Sequence, residues 1–90
     1  MQCNLTFLKL VLFVYFNSSI SDNNYIRDIY CYLAHEYFKI NQHNISKFLG
    51  CNKSKVKFYK GNITSLLRAN DKVLLNDLLE IKKLLNNGKR

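Results

Sequence analysis

Apolar residues recur along most of the chain at the spacing of an α-helix. The first clear stripe runs to about Phe38 and consists of Ile26, Ile29, Tyr30, Leu33, Ala34 and Tyr37. Three further stripes follow it: Ile45, Phe48 and Leu49, then Val56, Tyr59, Ile63, Leu66 and Leu67, then Leu74, Leu78, Ile81 and Leu85. Because no segment alternates in the manner of a strand, the pattern predicts an all-α fold.

Polar residues and one glycine mark where these helices begin and end. One of residues 21–23 is expected to cap the first of them, Asn41 the next and Asn52 the third. Gly50 supplies the left-handed residue that ends the short helix before it, and residues 69–71 separate the last two helices. A short helix, a tight turn and a longer helix in this order predict a helix-turn-helix.

The first apolar segment, residues 5–16, is different because it is apolar on nearly every side. It is too short to cross a bilayer, which takes about 20 residues as a helix. We expect a first helix that packs on the rest of the domain or forms a dimer contact. The alternative is a signal peptide cleaved after Ser21, since small residues precede that bond, although no base precedes Lys9.

The distribution of charge points to a class of partner. The chain has 90 residues, enough for one small domain, and a formal net charge of +8. Lysines without any intervening acid cluster between residues 47 and 60: Lys47, Lys53, Lys55, Lys57 and Lys60. Such an excess of bases indicates a polyanionic partner, either nucleic acid or an anionic membrane surface.

Other chemistry-bearing residues form weaker patterns. The three cysteines include no close pair, so we expect free thiols in a reducing compartment rather than a disulfide framework. Cys31, His35, His43 and Cys51 would bind zinc only if the turns brought them together, and we expect no metal site. The chain has no glycine-rich phosphate loop, nucleophile elbow or carboxylate pair. We therefore predict no enzyme, no cofactor and no small-molecule substrate.

Four strings in the chain follow the order of a known DNA-binding domain: RDIYCYLAHE (27–36), ISKFLG (45–50), CNKSKV (51–56) and NITSLL…LLNDLLEIKKLL. The chain resembles here the C-terminal domain, domain IV, of DnaA-type bacterial replication initiators. Asn52 stands where that family has a capping Asp, and Lys53, Ser54 and Lys55 stand in place of its His-Thr-Thr. The resemblance implies a small helical bundle, DnaA domain IV-like or Trp-repressor-like, that binds duplex DNA without an ATPase core.

Nine residues are candidate DNA contacts. Lys53, Ser54, Lys55 and Lys57 are expected to meet base edges and phosphates where the third helix enters a major groove, and Lys53, Ser54 and Lys57 lie away from its core stripe. Asn52 lies in the turn, and Lys60 lies at the edge of the buried face. The resemblance implies backbone contacts by Arg27 and His35, and Gln42 is a further candidate for a phosphate hydrogen bond. Phe58 also faces away from the core, and we expect it to pack on the N-terminal segment; the alternatives are a contact with a thymine methyl or a different helical register. The alternative for the lysines is a solvated helix face.

The sequence thus predicts residues 1–22 as an apolar helix and polar linker, 23–86 as a helix-turn-helix domain, and 87–90 as a basic tail. The predicted function is a cytoplasmic, nucleoid-associated DNA-binding protein, a stand-alone DnaA-like modulator of replication or transcription. Its expected partner is double-stranded DNA, and the apolar N-terminal segment is the expected contact of a homodimer. One alternative is a secreted or membrane-associated helical protein, which five Asn-x-Ser/Thr sites favour. The other is a helical module that binds only proteins.

Overall fold

The computed structural model describes residues 2–88, and within them the chain forms five helices and no strand. The helices are α1 (Gln2–Phe16), α2 (Asn24–Glu36), α3 (Gln42–Leu49), α4 (Lys53–Arg68) and α5 (Lys72–Gly88). The prediction of an all-α bundle is confirmed. No helix among these residues has the length and apolar character needed to span a membrane.

Asparagine side chains begin three of the helices as the sequence predicts. The side-chain oxygens of Asn23, Asn41 and Asn52 each accept a hydrogen bond of 2.8–3.1 Å from a backbone N–H two or three residues further on. These bonds satisfy donors that the first helical turn leaves without an intrahelical partner. Asp71 does the same for α5, because its Oδ1 accepts from the Leu74 N–H at 2.9 Å.

One buried stripe from each helix builds a common core. Helix α2 packs against α1, α3 and α4, and α5 packs against α1 and α4. The predicted stripes supply most of this core, and Tyr37, Phe48, Leu49, Tyr59, Leu66 and Leu67 form its half-buried margin. The fully buried large side chains are Leu5, Leu8, Leu12, Ile29, Tyr30, Leu33, Ile40, Ile45, Ile63, Leu74, Ile81 and Leu85.

Helix α1 packs into this core, which is one of the two arrangements expected for it. Leu5, Leu8 and Leu12 are fully buried, and the Tyr30 hydroxyl donates a hydrogen bond of 3.0 Å to the Leu5 carbonyl oxygen. Ile20 in the following linker is also buried. Residues 2–22 therefore pack with the predicted helix-turn-helix domain as one unit.

The C-terminal boundary differs slightly from the predicted one. Helix α5 continues through Asn87 and Gly88, two residues into the predicted basic tail. Lys89 and Arg90 lie outside the described residues.

Candidate nucleic-acid interface

A three-residue turn joins α3 to α4. Gly50 has φ 73°, the left-handed conformation that glycine adopts at little cost, and the Cys51 N–H donates to the Ser46 carbonyl oxygen at 3.0 Å. Asn52 then caps α4, whose first residue is Lys53. The two helices are held in place from inside, because Ile45 and Val56 are completely buried.

Four of the predicted contact residues share the solvent face at the start of α4. Lys53, Ser54, Lys55 and Lys57 are all exposed, and Asn52 is exposed beside them in the turn. Lys60, one turn further along the helix, is half-buried, as its predicted place at the edge of the buried face requires. Lys53, Ser54, Lys55, Lys57 and Lys60 are together called here the lysine face.

The lysine face is strongly positive. The sequence contains no Asp or Glu from residue 37 to residue 70. Within residues 2–88, none of the lysines at 53, 55, 57 and 60 takes part in an ion pair. Their ammonium groups therefore remain available to an external anion.

Lys53 and Lys55 lie in the first turn of α4, the end of a helix that is unfavourable for a cation. The first turn of α4 carries no acid. The N-terminus of a helix is positive, so an acidic side chain there stabilises the helix and a lysine destabilises it, by about 0.3–1 kcal/mol each. Backbone N–H groups and ammonium groups at one helix end together favour a bound anion such as a phosphate.

Arg27, a predicted contact of the DNA backbone, lies at the junction of α2 and α4. Its guanidinium carbon lies 3.7 Å from the centroid of the Tyr59 ring, and its Nη2 lies 3.5 Å from Asp28 Oδ1. Only 28% of the side chain is exposed. Arg27 therefore links α2 to α4 through Tyr59, a pairing that the sequence did not reveal because 32 positions separate the two residues.

His35 and Gln42 lie near the α2–α3 connection. The Nδ1–H of His35 donates to the Ile40 carbonyl oxygen at 3.2 Å, because a carbonyl can only accept, and this bond fixes the chain just before α3. Gln42 is the first residue of α3 and is half-buried. The structure gives His35 a role in shaping the turn, whereas Gln42 keeps the position at a helix start that its predicted role requires.

The expected packing of Phe58 on the N-terminal segment is wrong. Phe58 is 65% exposed, and its ring lies edge-on to the neighbouring Tyr59 ring, with the two centroids 6.1 Å apart. The reason is that α1 packs on α2, α3 and α5 but not on α4. Phe58 is therefore an apolar group on the solvent side of α4, one turn from Ser54 and Lys55.

The thiols and imidazoles considered for zinc do not share one site. Among residues 2–88, no three His, Cys, Asp or Glu side chains are placed to hold a metal ion. Cys31 is fully buried, and burial raises the pKa of its thiol to about 12. Cys51 is half-buried in the turn before α4, and both cysteines are free thiols.

No family model, curated protein or solved structure matches the chain. Its function is therefore argued from the geometry of the lysine face and from the helices that hold it.

Proposed function

We propose that this protein binds double-stranded DNA, with α3, the turn and α4 acting as a helix-turn-helix. The observation that carries the proposal is the lysine face: exposed lysines without ion pairs at the start of a helix whose opposite side is fixed in the core. Its resemblance to DnaA domain IV supports the same function. We further propose a cytoplasmic, nucleoid-associated modulator of replication or transcription.

The contact residues divide into two roles. Lys53, Lys55 and Lys57 meet phosphates and guanine edges where α4 enters the major groove, and Ser54 lies among them at the helix start. Lys60 and Gln42 bind the phosphate backbone at the margins.

The remaining predicted contacts support the face from behind. Asn52 sets the start of α4 through its cap, and Arg27 holds α4 against α2 through the Tyr59 ring. His35 fixes the turn before α3. We assign these three residues to positioning rather than to direct contact with bases.

The test is fluorescence anisotropy with a random duplex and an AT-rich duplex, each at low and near-physiological salt. The variant is Lys53→Ala/Lys57→Ala, and the matched control is Lys72→Ala/Lys82→Ala, which removes two exposed lysines of α5. If each of the lysines at 53, 55, 57 and 60 neutralises one phosphate, log K falls with log salt at a slope of about −4. The variant should reduce that slope by about 2 and the control should not.

Two outcomes would reject the proposal. One is a folded wild-type protein that shows no binding even at low salt. The other is an equal loss of affinity in the variant and the control, because net charge alone would then explain binding. A difference between the two duplexes would add base readout to phosphate contact.

The packing of α1 favours this function over that of a secreted protein with a cleaved leader. Cleavage after Ser21 would remove Leu5, Leu8 and Leu12 from the core, together with the acceptor of the Tyr30 hydrogen bond. Such large core deletions cost several kcal/mol, a substantial share of a small domain's stability. Mass spectrometry of the native protein decides: an intact N-terminal segment supports the proposal, and a chain that begins at Asp22 supports secretion.

We also propose that the DNA-binding form is a homodimer joined through an apolar patch on α1 and α5. The patch comprises Phe7, Leu10, Val11, Val14 and Leu84, of which Val14 is 72% exposed. It contains no charged side chain, so two copies can bury the same patch against each other without burying a charge. Because each copy carries +8, DNA should strengthen the dimer by reducing repulsion.

Sedimentation velocity tests the dimer. The expected result is a dimer in the wild type and a monomer in Val14→Asp, whose substituted side chain is exposed and should not disturb folding. The control is Val73→Asp, an equally exposed valine on α5 that does not line the patch. A wild-type monomer at high concentration, with and without duplex, would exclude the dimer.

A further inference from the structure

A groove of about 350 Å³ lies where α1, the α1–α2 loop, α2 and the turn before α4 meet. This volume is at the lower end of the range for small-ligand sites. Its lining combines apolar and cationic side chains, among them Ile20, Phe48, Leu49, Tyr59, Lys9 and Arg27. The groove is separate from the exposed lysines of the lysine face, none of which lines it.

Arg27 is the polar centre of this groove, and most of its donors are unused. A guanidinium carries five N–H donors in one plane. The Nη2 of Arg27 lies 3.5 Å from Asp28 Oδ1, which makes this ion pair a loose one. The Nε of Arg27 is buried without a hydrogen-bond partner among residues 2–88. The Tyr59 ring lies 3.7 Å from the guanidinium carbon and restricts the movement of the group. A guanidinium can bind a carboxylate through two parallel hydrogen bonds, and the nitrogens other than Nε are the donors for such a pair.

The charge and the walls of the groove define the ligand. Lys9 adds a second cation, has no ion-pair partner in the described part of the chain, and is exposed. No Asp or Glu lines the groove. Phe48, Leu49 and Ile20 offer apolar surface, which a hydrated inorganic ion would not use.

We propose that this groove binds a small organic anion with an apolar body, of the size of an aromatic carboxylate. The carboxylate pairs with Arg27 and Lys9, and the ring packs among Phe48, Leu49 and Tyr59. A duplex phosphate is a poorer occupant, because only 28% of the Arg27 side chain is exposed, whereas Lys53, Lys55 and Lys57 are exposed on the helix surface. This site does not depend on the proposed DNA binding.

The experiment is a ¹⁵N heteronuclear NMR titration of the full chain with three probes: benzoate, its neutral isostere benzamide, and inorganic phosphate. Benzoate should produce saturable shifts of the Arg27 Nε–Hε signal and of the Leu49 and Cys51 amide signals. At the same concentrations benzamide should produce no saturable shift, because it lacks the charge, and phosphate should produce none, because it lacks the apolar body.

Three variants locate the site. Arg27→Gln and Lys9→Gln should each raise the Kd for benzoate, the former at least about tenfold, since a hydrogen bond to a charged group contributes about 1.5–3 kcal/mol. Lys72→Gln removes the same charge at an exposed position outside the groove and should leave the Kd unchanged. Lys9 is exposed, so its variant should fold even if Arg27→Gln does not.

Several results would overturn the proposal. One is the absence of a saturable shift by benzoate up to about 20 mM, a concentration that would detect even a Kd of about 1 mM. Another is an unchanged Kd for benzoate in a folded Lys9→Gln protein. A saturable shift of Arg27 Nε–Hε by phosphate alone would also overturn it and would mark Arg27 as a phosphate contact. The loss of DNA binding in anisotropy would leave these NMR results unaffected, so the two proposals fail separately.

Discussion

Asp28 places a carboxylate between α2 and α4, where only 10% of its side chain is exposed. The Asn62 Nδ2 donates to Oδ2 at 3.1 Å, but Oδ1 has no hydrogen-bond donor among residues 2–88. Burial therefore raises the pKa of Asp28, although Asn62 and Arg27 both act to lower it. The folded state consequently holds a proton on this carboxyl more tightly than the unfolded chain does.

This gives a prediction for Asp28→Asn. Because the pKa of Asp28 is higher in the folded state, its protonated form adds to the free energy of unfolding below the unfolded-state pKa of about 3.9. This contribution is lost as the pH rises through the folded-state pKa. The asparagine avoids burying a charge, so the variant should unfold at higher urea than the wild type at pH 7. Its advantage should shrink towards about pH 3. Asp22→Asn, at an exposed position, is the control, and a less stable Asp28→Asn protein at pH 7 would contradict the argument.

Two glycines lead to opposite predictions. At both Gly61 and Gly50 an added Cβ would meet no atom within 4 Å, but only Gly50 has a positive φ, of 73°. Gly61→Ala should therefore stabilise the protein by about 1 kcal/mol, because alanine is the better residue inside a helix. Gly50→Ala should destabilise it by about 1–2 kcal/mol, the strain of a left-handed L-residue. Urea unfolding of both variants checks the pair, and effects of the same sign would refute it.

At the scale of the element, α4 combines a well-capped start with an unfavourable charge. Asn52 satisfies a backbone donor, whereas Lys53 places a cation at the positive end of the helix dipole. None of the five helices described carries an acid in its first turn, and α4 is the one that carries two lysines there. Under the proposed function, these lysines bind DNA at some expense of helix stability.

Lys53→Glu tests this trade-off, with Lys72→Glu as a matched control. Both lysines are exposed and are the first residue of their helix. Each substitution should stabilise the protein by about 0.3–1 kcal/mol, because a glutamate suits a helix N-terminus. Lys53→Glu should also weaken duplex binding, and by far more than Lys72→Glu does. Urea unfolding and anisotropy give the two readouts, and equal losses of DNA affinity would show that α4 is not the contact helix.

At the scale of the whole molecule, one carboxylate ties three helices together. Asp77 on α5 accepts hydrogen bonds from the hydroxyl of Tyr15 on α1, at 2.9 Å, and from that of Tyr25 on α2, at 2.8 Å. Burial, reinforced by these bonds and by the charge of Asp77, raises the pKa of Tyr15 to about 12 and raises that of Tyr25 as well. The junction therefore links α1 and α2 to α5 through hydrogen bonds to a single side chain.

The junction predicts how the protein responds to alkali. Both tyrosines have higher pKa values in the folded state than in the unfolded chain. Their contribution to the free energy of unfolding is therefore complete below the unfolded-state pKa of about 10 and is lost as the pH rises through about 12. Tyrosinate absorbance of these two residues should therefore appear together with unfolding, as followed by circular dichroism. In Asp77→Asn the absorbance should appear at lower pH and the protein should be less stable at pH 7. The control is Asn76→Asp, which changes the charge at a neighbouring exposed position. An unchanged titration of the tyrosines in Asp77→Asn would contradict the assignment.

Local chemistry made much of this structure predictable. Asn41, Gly50 and Asn52 act on backbone groups a few residues away, so the ends of α3 and the start of α4 follow from neighbouring residues alone. The helical period then places Val56 and Ile63 inside and Lys53 and Lys57 outside, as observed. For this reason most of the lysine face could be identified before any tertiary contact was known.

The helices, their buried stripes and the exposed lysines thus follow from the order of residues alone, since each depends on spacing within one element. The meetings between helices follow from tertiary packing: Arg27 on Tyr59, Asp28 beside Asn62, and α1 in the core but away from Phe58. These pairs are more than 30 positions apart or depend on how whole helices are arranged. Their geometry comes from the joint packing of several apolar faces, which no local pattern specifies.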